Sequence, residues 1–234
     1  LKKKSLFPVV LFFVVVGLFT LYQSSAPVSL TLVITPTVDQ QPLVFNRAIY
    51  PNPGGDGLFS IRSFQFYISN IKLFSEEGHY LEPDSYHLVR FDNEKNQYTI
   101  VIDDVPNLPY EAIGLSIGVD AEANGTITVS GDVNPNSRMA WSWDVGYKFV
   151  LFEGTLHRGE KSTPLVYHIG FDENYKSLMF PFPDHGEELH ATVDIMKLFQ
   201  GTSTIDMSQV PTIKFDRKDS RLISDNYQNM LAFE

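Results

Sequence analysis

Beyond Pro27 the chain is written in short runs of alternating apolar and polar residues, broken by clusters of Gly, Pro, Asn and Asp. That period of two constrains the fold more than any other feature, because it puts the apolar side chains of each run on one face of a strand. Ser29 to Thr35, Ser60 to Leu73, Ser85 to Phe91, Tyr98 to Ile102, Glu111 to Val119, Val145 to Glu153, Pro164 to Ile169, Leu189 to Asp194 and Thr212 to Phe215 all read as strands. Turn clusters such as Pro51 to Gly57 and Asp132 to Asn136 separate them. Helix is scarce. Val193 to Phe199 has room for a turn or two closed by Gly201, and Arg221 to Leu231 has helical spacing after an Asp219 or Ser220 cap. The expected fold is all-β: a two-sheet antiparallel β-sandwich with a short C-terminal helix.

One run carries more information than the others. Phe64, Phe66 and Ile68 place their apolar side chains at even positions, but after Ser69-Asn70 the apolar positions are Ile71 and Leu73. A phase change in a period of two flips the buried face, so a bulge or a crossing between sheets is expected there.

The amino end follows a different rule. Lys2, Lys3 and Lys4 precede an apolar run from Leu6 to Tyr22, then Ser24, Ser25 and Ala26, and the first acid is Asp39. This is the layout of an export signal. As a helix the run would measure about 25 Å, short against a hydrocarbon core of roughly 30 Å. Pro27 crowds the best cleavage position, so the alternatives are a cleaved signal or an N-terminal membrane anchor. The organisation expected is a hydrophobic signal or anchor helix over 1–27 and one β-sandwich domain over 28–234, working in the periplasm or elsewhere outside the cytoplasm.

Composition narrows the chemistry. With no cysteine there is no disulfide framework, no thiolate metal site and no thiol nucleophile. The formal net charge is −10, and losing the three head lysines would deepen it to −13. Nucleic-acid binding is disfavoured, and cations fit better than polyanions.

Several motifs invite chemistry. Gly114-Leu115-Ser116-Ile117-Gly118 spells a nucleophile elbow, but it lies inside an alternating strand rather than at a strand-to-helix turn, and a structural role is the better reading. Asp132-x-Asn134-x-Asn136 opens like a calcium loop but continues with Ser137 and Trp143 where Gly and Glu belong. Of the six histidines none forms a chelating pair by spacing, and His185 and His190 flank a turn. His87 and His168 sit in strands, where a hydrogen-bonded structural histidine competes with a metal ligand. Both tryptophans fall in Trp141-Ser142-Trp143, where an inter-sheet anchor competes with a sugar-stacking platform or a redox-active aromatic site.

Met139-Ala140-Trp141-Ser142-Trp143-Asp144-Val145-Gly146-Tyr147-Lys148-Phe149, running on to Glu153-Gly154, resembles the Met-x-Trp-x-Trp-x-x-Gly-Tyr signature of the MbnP-like family. Phe66 to Leu73, Tyr86 to Val89, Ile117 to Asp120, Tyr167 to Gly170 and Ile223 to Met230 agree with it in the same order. The resemblance implies an exported β-sandwich that binds copper and acts beside a partner resembling di-haem cytochrome c peroxidases. That partner oxidises a tryptophan to kynurenine in characterised relatives, and the new aromatic amine joins histidines around copper. By this resemblance Trp141 and Trp143 are the candidates for oxidation, and His87 and His168 the candidate copper ligands. The chain departs from some relatives in having no Trp-x-His. Imidazole and amine nitrogens suit copper where thiolate is absent. The expected function is a non-enzymatic, copper-binding protein. The alternative is a cell-surface module that binds glycan or peptide on Trp141 and Trp143.

Overall fold

The computed structural model describes residues 26–93, 96–126, 129–142, 145–184 and 186–234. Along the chain, β1 (Val28–Val38), β2 (Gln41–Pro42) and β3 (Tyr50–Pro51) precede the long β4 (Leu58–Ser75). Four strands follow: β5 (Gly78–Leu81), β6 (Tyr86–Arg90), β7 (Tyr98–Val105) and β8 (Ala112–Ile117). After the one-turn helix α1 (Ala121–Asn124) come β9 (Ala140–Ser142), β10 (Gly146–Arg158), β11 (Lys161–Gly170), β12 (Lys176–Pro181) and β13 (Glu188–Asp194). The last section holds β14 (Thr212–Ile213), α2 (Arg217–Ser224), α3 (Tyr227–Met230) and β15 (Leu231–Phe233).

The larger sheet is organised on β4. Its first half pairs with β10 and its second half with β8, while β3, β6 and β5 line the other edge. Beyond β8 lies β12, and beyond β10 lie β11 and then β14. The exchange of β10 for β8 happens where the sequence changes phase. Asn70 takes a left-handed φ of 53°, and the β4–β8 register shifts between Ser69 and Lys72. Asn tolerates that conformation better than most residues, and its Nδ2 donates to Asp120 Oδ2 at 2.8 Å and to Tyr175 Oη at 2.7 Å.

The smaller sheet runs β15, β13, β1, with β2 and β7 on the far edge of β1. The two sheets enclose the main core, in which Leu32, Ile102 and Val193 of the small sheet meet Phe66, Phe152 and Ile169 of the large one. Pairing is antiparallel throughout the described strands except between β1 and β13 and between β11 and β14. Phe199 closes one end of the core. It follows a 3-10 turn at Ile195–Leu198 and sets its ring 4.9 Å from Phe152 and 5.0 Å from Tyr167.

The large sheet is also covered on its outer face. A second cluster joins Tyr67, Leu88, Tyr147, Phe149 and Leu151 to Val119, Ala123, Val133 and Met139 from the connection between β8 and β9. Burial on both faces explains why β10 is apolar almost continuously rather than alternating. Asp120 ties the connection down, accepting from Tyr86 Oη at 2.6 Å, Asn70 Nδ2 and the Ala123 amide at 3.1 Å.

The C-terminal helix differs in detail from the spacing. It begins at Arg217, capped by Asp216, whose Oδ1 accepts from the Asp219 amide at 2.7 Å. It stops at Ser224 because Asn226 is committed elsewhere: its Nδ2 donates to the Leu198 and Ser203 carbonyls, both at 2.9 Å. Leu231 then joins the small sheet rather than a helix. No helix among the described residues is long and apolar enough to cross a membrane. The 1–25 stretch, with most of the expected signal or anchor, lies outside them.

Two outcomes are expected. Phe152→Ala removes a ring in contact with Phe59, Tyr167 and Phe199, and chemical denaturation will show a loss of about 3–5 kcal/mol. For Asp120, burial alone would raise the carboxyl, but the hydrogen bonds from Tyr86, Asn70 and the Ala123 and Glu122 amides outweigh it and hold the group below its usual range. A carboxyl depressed by folding stabilises fully above its unfolded value and loses that contribution as pH falls through the folded one. Thermal melts below about pH 4 will therefore fall more steeply for the native chain than for Asp120→Asn.

Candidate functional site

Glu153 stands at the centre of the charged site on the outer face. It lies two residues from Leu151 along β10 and so shares the side that bears the second cluster. The β4–β10 register shifts between Glu153 and Gly154, and Arg62 reaches the carboxylate there, with Nη2 3.0 Å from Oε2. Arg138, from the segment before β9, donates to the same oxygen. His168 of β11 sets its Nε2 3.1 Å from Oε1.

The electrostatics follow from this packing. Burial would raise the Glu153 pKa, but the hydrogen bonds from Arg138, Arg62 and His168 overcome it and lower it to about 2. His168 is pushed down by burial and by the nearby Lys148 and Lys214 charges, against the pull of Glu153. Its neutral form, which is the form that binds metal, is therefore favoured. Lys148 is also lowered, by burial and by Arg138, and its Nζ donates to the Arg138 carbonyl at 2.7 Å and the Ala140 carbonyl at 3.3 Å. Four cationic side chains thus surround one carboxylate and one histidine.

Trp141 belongs to the same face. β9 pairs with the start of β10, and the indole lies against Gly170, two residues along β11 from His168. Its ring is 5.2 Å from Phe171 and 5.1 Å from Phe215, and Arg217 stacks over Phe171 with its guanidinium carbon 4.2 Å from the centroid. Trp143, the second oxidation candidate, and His185 lie outside the described residues.

The structure does not bring His87 and His168 together. His87 is opposite Ile68 of β4, whereas His168 is opposite Leu151 of β10, which is opposite Gln65 of β4. Positions 65 and 68 point to opposite faces. Ile68 belongs to the core between the sheets and Leu151 to the outer cluster. The strands that carry the two histidines are three strand spacings apart, about 14 Å, whereas ligands to one ion lie roughly 2 Å from it. A single copper ion cannot be held by both. His87 instead bonds through Nε2 to Glu82 Oε2 at 2.8 Å, an oxygen that also accepts from Ser85 Oγ. Its surroundings are acidic. Nearby Tyr80 is raised by burial and by the charges of Glu82, Asp104 and Asp103.

The other motifs are structural. Ser116 is buried in β8, 2.9 Å from Ser177 Oγ, and a Cβ on Gly118 would stand 2.6 Å from Phe149 Cδ2. Asp132 accepts from the Leu88 amide at 2.8 Å and Asn134 from the Asn136 amide at 2.8 Å, as a polar turn requires. Among the described residues no group of three or more His, Asp or Glu side chains is placed to hold a metal ion. Arg62 and Arg138 do not stand out in the sequence, and Glu153 enters only at the end of a strand and of the Met139 to Gly154 resemblance, with no role in a site. The available signal was a Lys and a Glu, Lys148 and Glu153, bracketing the apolar run Phe149 to Phe152.

The sequence matches the family model described as MbnP over residues 27–215. MbnP from Methylosinus trichosporium is a solved structure of similar fold, with a TM-score of 0.58 at 15% sequence identity, covering 76% of this chain and 79% of that one. At that identity the likeness speaks to the fold. The sequence has no significant match among the curated proteins.

Gly170 offers a direct test of the site's packing. A Cβ there would lie 2.7 Å from Trp141 Cζ3 and would also strike the Tyr147 carbonyl oxygen. Gly170→Ala is expected to cost about 1–3 kcal/mol and to shift the tryptophan emission, as urea titration followed by fluorescence will show.

Proposed function

This chain belongs to the MbnP family, and on that premise we propose that it is an exported, non-enzymatic copper-binding protein acting in copper handling outside the cytoplasm. The observation that carries the reading is the position of His168 and Trp141 on one face of the large sheet, where burial shifts the imidazole toward its neutral form. His168 supplies one nitrogen. Glu153 is already shared among Arg62, Arg138 and His168, so the remaining donors come from the segment that bears Trp141 and Trp143. A di-haem cytochrome c peroxidase-like partner, with hydrogen peroxide as the terminal oxidant, cleaves the indole C2–C3 bond of one of these tryptophans. Hydrolysis releases C2 as formate, and the aromatic amine of the resulting kynurenine is a neutral donor that suits copper. His87, on the opposite face, does not share this ion.

The glycan-binding alternative needs an exposed indole face. Trp141 is packed against Gly170, Phe171 and Phe215, so the copper reading is preferred.

Protein purified from its native source is expected to contain copper, and the peptide holding Trp141 and Trp143 to carry the mass of one kynurenine. His168→Ala should abolish the copper, while His87→Ala should retain it. A copper-free protein with both tryptophans intact would overturn the proposal, and equal loss in the two histidine variants would overturn the assignment of the face.

A further inference from the structure

The outer face holds a local cluster of cationic side chains. In a protein of net charge −10, Arg62, Arg138, Lys148 and Lys214 gather around Glu153 and His168. The side chains of Arg62 and Arg138 are 63% and 56% exposed although each reaches Glu153. One carboxylate occupies one donor of each guanidinium, and a guanidinium has five. Lys214 and Lys218 are exposed at the margin. Of the acids beside them, Asp216 and Asp219 hold the start of α2, where Asp216 accepts from the Asp219 amide, and Glu173 pairs with Arg217.

An apolar element lies within this cationic field. Phe215 is 61% exposed, and it rests on Trp141, which rests in turn on Phe171. Aromatic side chains and arginine are the residues that anchor protein interfaces, while charge complementarity sets the rate and specificity of encounter. A small oxyanion would use the guanidinium groups but would have no use for an exposed phenylalanine backed by an indole.

We infer that this face is a docking surface for a protein that presents a carboxylate-rich patch, with Arg62, Arg138 and Lys214 meeting the carboxylates and Phe215 as the apolar anchor. The inference concerns the face to which copper is assigned above but does not depend on copper, and it holds for the metal-free chain.

The test uses metal-free full-length protein and a fluorescent oligoglutamate peptide with one central leucine, read by anisotropy. Binding is expected to weaken at least tenfold as salt shortens the screening length from about 30 Å at 0.01 M to about 8 Å at 0.15 M. Lys214→Glu should weaken it about fivefold or more, and Phe215→Ser should weaken it without changing the salt dependence. Both residues are exposed, so thermal melts should match the native chain for Lys214→Glu and fall only slightly for Phe215→Ser, which loses its contact with Trp141. Lys161→Glu, at the far end of β11, changes net charge equally and should leave affinity within about twofold. No binding, binding indifferent to salt, or equal loss in Lys161→Glu would overturn the inference. Full displacement of the peptide by millimolar inorganic phosphate, with Phe215→Ser unaffected, would also overturn it, because the face would then be a small-oxyanion site. Because no step uses copper, failure of the copper reading would leave these results unchanged.

Discussion

The backbone of Asn70 is the constraint on which the rest of the structure depends. One left-handed residue within β4 lets a single strand of 18 residues serve two neighbours on the same edge, first β10 and then β8. Without that change of face, a strand this long would keep its even positions toward one core and expose Ile71 and Leu73. The Asn70 side chain secures the turn of phase by binding Asp120 and Tyr175. Asp120 in turn caps α1 and starts the connection that covers the outer face. The bulge, the helix cap and the covering layer are therefore one mechanical unit.

The covering layer decides where charge can sit. A strand buried on one face offers its other face to solvent, where a Glu–Arg contact contributes little. Here the layer buries Glu153 and Lys148 and most of His168, so each depends on its neighbours for solvation. Lys148 bonds to backbone carbonyls on both sides of Met139, and Arg138 bonds to Glu153. The segment that presents Trp141 is thereby fixed to β10 by polar contacts and to β11 by the contact at Gly170. A loop held this way fixes the orientation of its aromatic ring.

Much of this was legible in the sequence. The phase change at Ser69-Asn70 located the bulge, and the principal strands follow from alternation. Of the short edge strands, Thr212–Ile213 showed and most of the others did not. In β12 the polarity is mixed because Met179 lies on the exposed face, and β9 and β15 are three residues each, too short for a period to register. The helix boundary was missed because tertiary bonds of Asn226, not local spacing, end it. For the site, alternation correctly put His168 on the face opposite Leu165, Tyr167 and Ile169, all of which lie in the main core. It could not relate His168 to His87, because the number of strands between two positions is a property of topology rather than of either strand.

That topology gives the two histidines opposite electrostatic surroundings, and the contrast bears on what each can do. A cation beside His87 is near Glu82, which with Asp103 and Asp104 also acts on Tyr80. A cation beside His168 meets four positive side chains offset by one carboxylate. Coulomb repulsion from those groups scales with the charge of the bound ion, so nitrogen donors on this face must outweigh a repulsion that the His87 face does not impose. The same positive field that raises the cost of a metal ion lowers the cost of bringing a carboxylate-bearing surface to Trp141. On this face, metal affinity and partner affinity draw on opposite signs of the same potential. The neutral imidazole of His168 is compatible with both, because it adds a donor without adding charge.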